Sequence, residues 1–152
     1  MFIIKYLPFR IGFIALFAAC LVLFPHLLLE QPNITANAQS TRLPTAYVGV
    51  WQGNGVQSNR SEWSILIALT PGTVDSVVGT IAYPSLACGG ELTLRSINNQ
   101  SIELFENLTY VGNCINRGTV TLQAVSDRRL QYKWFSPNGR QDATGVVQKI
   151  SQ

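Results

Sequence analysis

The sequence predicts an all-β domain built as a single antiparallel, eight-stranded up-and-down barrel, with a two-layer β-sandwich as the alternative architecture. Three observations carry this expectation. Between residues 45 and 151 the apolar residues alternate with polar ones or run only briefly, so no helical period extends beyond a turn or two. Turn-forming Gly, Pro, Asn and Asp interrupt the pattern about every 8–12 residues. Charged residues make up only 12% of the chain, which leaves little to guard exposed sheet edges, and closing the sheet removes those edges.

The strands are read in order as Tyr47–Val56, Glu62–Thr70, Ser76–Tyr83, Gly90–Ser96, Ser101–Leu108, Gly118–Val125, Arg129–Phe135 and Ala143–Ile150. Their connections run through Asn54 to Ser61, Pro71-Gly72, Pro84 to Gly89, Asn98-Asn99, Asn113 to Arg117, Asp127-Arg128 and Pro137-Asn138-Gly139, each with the residue types that turns require. Such short links favour antiparallel neighbours in chain order. Parity then separates two faces. Ile102, Leu104, Glu106 and Leu108 share one face of their strand, as do Val120, Leu122 and Ala124 on the next, and Leu130, Tyr132 and Trp134 on the one after. Their alternates, such as Glu103, Asn107, Thr121, Gln123, Gln131 and Lys133, are polar and face solvent.

Ahead of this domain, residues 1–29 carry Lys5 and Arg10 and then an apolar stretch over 11–29 broken only by Pro25 and His26. Ala36-Asn37-Ala38 supplies the small-x-small pattern of a signal-peptidase site. The expected organisation is a signal peptide over 1–38, a linker over 39–45 and the barrel over 46–151, with an uncleaved membrane anchor at 11–29 as the alternative. Cys20 stays an ordinary leader residue, because the positions after it remain apolar where a lipoprotein turns polar. Either way the domain is expected outside the cytoplasm, secreted or periplasmic, or anchored and facing outward. In that oxidising setting Cys88 and Cys114 are expected to pair.

Composition excludes several functions. The 152 residues leave room for one ordinary domain. Eleven Lys and Arg against eight Asp and Glu give +3, too mild and too scattered for a nucleic-acid footprint. The single histidine, His26, lies in the leader, so the exported chain is expected to lack the imidazole that most triads, general bases and metal sites use. Two cysteines without histidine cannot make a zinc site, and no cofactor motif is present. Cys88-Gly89-Gly90 leads into a strand rather than a helix and cradles no phosphate.

Glu106 is the candidate functional residue, because parity puts a carboxylate on the inward face, where a lone ion is costly. It is read either as a structural group satisfied by an Arg, a Tyr hydroxyl or loop amides near Cys114, or as the polar anchor of a pocket with Tyr83, Tyr132 and Trp134. Trp51, between Gly49 and Gly53, is the further aromatic candidate, placed inward at the start of the first strand with Trp63 on the next. Paired-carboxylate hydrolysis needs a second inward acid, whereas Glu91 and Glu103 take the outer faces of their strands, so no catalysis is expected.

Gly49-Val50-Trp51-Gln52-Gly53 resembles the opening of calycin barrels, the lipocalin and avidin group, in which an early Trp plugs one end of the barrel. The wider pattern runs from Trp51-x-Gly53 through Val78-Gly79-Thr80, Tyr83-Pro84-Ser85-Leu86-x-Cys88-Gly89-Gly90-x-Leu92 and Phe105-Glu106-Asn107-Leu108 to Gly118-x-Val120-x-Leu122 and Leu130-x-Tyr132-x-Trp134. It resembles a small extracytoplasmic β domain of bacterial secreted proteins and of the outer portion of some membrane-anchored Ser/Thr protein kinases, over nearly all of 46–150. The resemblance implies a binding or sensing module without catalytic residues. The expected partner is thus a small ligand or an extracytoplasmic protein. A small secreted inhibitor of a lysozyme or protease is the alternative, with Tyr83–Gly90 and Asn107–Gly118 as its candidate loops.

Overall fold

The computed structural model describes residues 41–151. The signal peptide read over 1–38, the alternative anchor at 11–29, cleavage after Ala38 and the reading of Cys20 all lie outside the described residues. Among the described residues no helix is long and apolar enough to cross a membrane.

Eight strands form one closed antiparallel barrel: β1 (Gly49–Gln57), β2 (Glu62–Leu69), β3 (Val77–Tyr83), β4 (Cys88–Ile97), β5 (Ser101–Tyr110), β6 (Thr119–Ser126), β7 (Arg129–Phe135) and β8 (Gln141–Ser151). Each strand pairs with its neighbours in sequence, and β8 closes the ring on β1, with Gly53 opposite Val147 and Gly55 opposite Gly145. The sandwich alternative is set aside by this closure. Inward positions follow the alternation: Trp51, Ile65, Ile67, Val78, Leu92, Leu94, Ile102, Leu104, Val120, Leu122, Tyr132 and Val147 are all fully buried. Burying a side chain of this size contributes about 1.5–3 kcal/mol each, which is what holds so short a barrel together.

Several boundaries differ from the expected ones, and β1, read from Tyr47, begins at Gly49 because Thr45–Tyr47 turn as a 3-10 helix. The link read as Pro84 to Gly89 is shorter, because Pro84–Leu86 turn as a 3-10 helix, Ala87 takes a left-handed φ of 52°, and β4 already begins at Cys88. Reciprocal bonds between Ser64 and Ser85, each backbone N–H donating to the other's hydroxyl at 3.0 and 3.1 Å, hold this turn against β2. β8 begins at Gln141, two residues before Ala143, because a bulge between the Trp134–Ala143 and Phe135–Gln141 pairs leaves Asp142 without a partner and breaks the alternation there. In the segment read as a linker, Leu43 is buried and its N–H donates to Gly72 O at 2.9 Å, so the packed chain starts earlier than residue 46.

Gly53 permits closure of the ring. A Cβ there would run into the Val146 carbonyl on β8, so the close approach at Gly53 is made by strand backbone.

Candidate functional site

The two ends of the barrel differ. At the end where β1 starts, Trp51 is fully buried and its indole N–H donates to Tyr47 O at 2.8 Å. The Tyr47 hydroxyl donates to Gln100 O at 2.8 Å, tying the entering chain to the β4–β5 turn. The Lys149 ammonium lies 5.0 Å from the centroid of the Trp51 ring. This end is stopped by side chains.

The opposite end holds a polar cluster. β5 supplies Glu106, the end of β3 supplies Tyr83, and β7 supplies Tyr132 and Trp134 at alternate inward positions. The Tyr83 hydroxyl donates to Glu106 Oε1 at 2.5 Å, and the Trp134 indole N–H donates to Oε2 at 2.9 Å. The Tyr83 and Tyr132 hydroxyls lie 2.8 Å apart. With the Tyr83 proton committed to Glu106, the proton between the two hydroxyls comes from Tyr132. Donors therefore run in series toward the carboxylate, each charge-assisted or polarised by the next. Glu106 is 0% exposed, and among the described residues no buried side-chain polar atom lacks a hydrogen-bond partner.

Burial lifts the Glu106 carboxyl above its ordinary range, and the donors Tyr83 and Trp134 pull it only part of the way back. Tyr83 and Tyr132 are held well above the usual phenol value, first by burial and then by neighbouring negative charge. An acid whose folded value is raised binds more protons folded than unfolded, so its contribution to stability is greatest at low pH. That contribution falls as pH rises from about 4.5 through the folded value. Glu106→Gln is accordingly expected to melt progressively closer to wild type, or above it, as pH climbs through that window. Thermal melts of both proteins across a pH series check this, and parallel curves refute it.

Above the cluster lies a cavity of about 160 Å³ walled by Trp63, Tyr83, Tyr132, Trp134 and Leu86, with Gln57, Asn113, Cys114, Ile115, Asp142 and Ala143 at its border. The predicted anchor set is thus assembled in one place, with the exception of Trp51, which closes the other end. Trp63 and Tyr83 meet edge to face with centroids 6.5 Å apart. Gly118 makes room for Trp134, since a Cβ there would strike the indole nitrogen that bonds Glu106.

Alternation gives no sign of Asp142, which reaches the border only because of the bulge. Its carboxyl is held below the ordinary range by the Ser136 hydroxyl and then by Arg140, whose Nε lies 2.5 Å from Oδ1. The Asn116 side chain clamps the β5–β6 loop, accepting from Leu108 N–H at 2.7 Å and donating to Leu108 O at 3.0 Å. Cys88 and Cys114 form the expected disulfide across 26 positions, and Cys114 sits on the cavity border. A bridge is compatible with an oxidising compartment. Glu91 is exposed and Glu103 accepts from Ser96 on the outer face, so Glu106 has neither as a neighbour inside the barrel.

Fold and site together define a closed eight-stranded barrel, stopped at one end and opening onto a buried carboxylate cluster at the other. No family model and no curated protein gives a significant match to the chain. Among solved structures it is similar to a redesigned β-barrel, mFAP1, bound to DFHBI, with a TM-score of 0.49 and 15% identity over 69% of this chain and 96% of that one. It is also similar to a second redesigned β-barrel, b11L5F_LGL, with a TM-score of 0.46 and 15% identity over 69% of this chain and 92% of that one.

Proposed function

We propose that the protein is a non-catalytic binding module that takes a small ligand into the barrel mouth. The observation that carries this is an aromatic-walled cavity of about 160 Å³ set directly over a fully satisfied polar cluster. A few converging polar groups under apolar walls are the usual make-up of a ligand pocket. An engineered cavity of about 150 Å³ holds a benzene molecule, so this one admits a head group of that size. The calycin-like opening and the likeness to an extracytoplasmic β domain support the same reading, as does a leader that would deliver the domain to an oxidising compartment. A melting screen of the purified protein against sugars, lipids, peptidoglycan fragments, nucleotides, amines and tetrapyrroles tests it, because a ligand that prefers the folded state raises the melting temperature. At a ligand concentration of about 100 Kd the gain is about 2.7 kcal/mol. At least one saturable hit whose affinity changes in Trp63→Ala is expected; a screen without hits overturns the reading.

One observation favours a second reading, inhibition of a lysozyme or protease. Tyr110, Val111 and Ile115 are exposed by 65%, 42% and 57% along the disulfide-tied β5–β6 loop. An enzyme panel inhibited at micromolar protein would favour it over the small-ligand reading.

A further inference from the structure

We propose that the mouth selects a compact organic cation, a quaternary ammonium head group. This rests on the reading of the mouth as a small-ligand site and adds the sign of the ligand's charge.

The residues around the cavity include two carboxyl groups, Glu106 and Asp142, and no Lys, Arg or His. Asp142 already has Arg140 beside it, and the Arg140 side chain is 75% exposed, turned mostly to solvent. Glu106 has no such partner: among the described residues its hydrogen-bond donors, Tyr83 and Trp134, are both neutral. A buried carboxylate supported only by neutral donors is stabilised by any cation brought near it in the same low-dielectric space. An anion entering here finds no Lys, Arg or His among the lining residues and meets the Glu106 carboxylate, which has no countercharge.

The kind of cation follows from what is left to bond. Each Glu106 oxygen already accepts one hydrogen bond, and the group is 0% exposed, so its remaining lone pairs are out of reach of an incoming N–H and it acts on a ligand through its field. A head group without N–H donors leaves no donor unpaired over Glu106, whereas a primary ammonium ion has acceptors only at the polar border, on Gln57, Asn113 and Asp142. The walls suit the same head group. Trp63, Tyr83 and Trp134 border the cavity above the wholly buried Tyr132, and aromatic surroundings of this kind hold quaternary ammonium ions. The volume of about 160 Å³ accepts a trimethylammonium group.

The test compares choline with its uncharged isostere 3,3-dimethylbutan-1-ol, titrated into the purified protein and followed by calorimetry and tryptophan fluorescence. Choline is expected to bind at least about tenfold more tightly than the alcohol. Glu106→Gln is expected to remove most of that preference, bringing the choline-to-alcohol affinity ratio close to one. If Glu106→Gln does not fold, the choline-to-alcohol ratio in wild type still decides the question. Equal affinities overturn the cation inference and leave a small-ligand mouth standing. Absence of binding by both probes also overturns it, and the melting screen then decides separately whether the mouth binds small ligands at all.

Discussion

Trp51→Ala is expected to cost the domain about 3–5 kcal/mol, the range for removing a large aromatic from a core that cannot collapse around the gap. Trp51 is wholly buried, spans the stopped end of the barrel, and also pairs the otherwise buried Tyr47 carbonyl. Its removal opens a void where β1, β2 and β8 meet and leaves that carbonyl without its donor. A domain of this size shifts its melting temperature by roughly 4–8 °C per kcal/mol, so a drop of more than about 10 °C is expected. Trp51→Phe should lose less, since it keeps most of the buried ring. Chemical denaturation of the three proteins checks the order, and a loss below about 1 kcal/mol for the alanine variant would show that the indole does not close this end.

Opening the Cys88–Cys114 bridge, by paired serine substitution or by reductant, is expected to cost about 3–4 kcal/mol through the loop entropy returned to the unfolded chain. The two variants should separate in what else they disturb. Trp51 lies away from the cavity, whereas Cys114 borders it and Asn113 N–H donates to Leu86 O at 3.3 Å across the same crossing. Loss of the bridge should therefore weaken any ligand bound in the mouth beyond what lower stability explains, while Trp51→Ala measured well below its melting point should not. Melting curves with and without reductant, together with titrations at a temperature where both variants are folded, settle the point. Unchanged affinity after reduction would remove the bridge from the site.

Strand parity made much of this arrangement legible before any coordinates. The two-residue period on β5, β6 and β7 was enough to place Glu106, Tyr132 and Trp134 inside, and the two cysteines of the domain had only each other. Parity reports inside against outside and is silent on height along the barrel axis, which register and strand stagger determine. Parity therefore gives Trp51 the same inward mark as Tyr132 and Trp134, although it lies at the other end of the barrel. A bulge likewise cancels the period locally, so Asp142 carries no mark in the sequence. Leu43 precedes any repeating pattern and Tyr47, read as the first residue of a strand, ends a 3-10 helix, and the burial of both depends on contacts with the β2–β3 and β4–β5 connections that no local rule foretells.

The ring closes with Val50 opposite Ser151, so the described chain enters and leaves the barrel side by side, at the end stopped by Trp51. The four hairpin links around the mouth carry no chain terminus. An affinity handle, a fluorescent reporter or a sensor chip joined directly to the described chain at residue 41 or 151 is held on the blind side of the barrel and leaves its opening pointing outward.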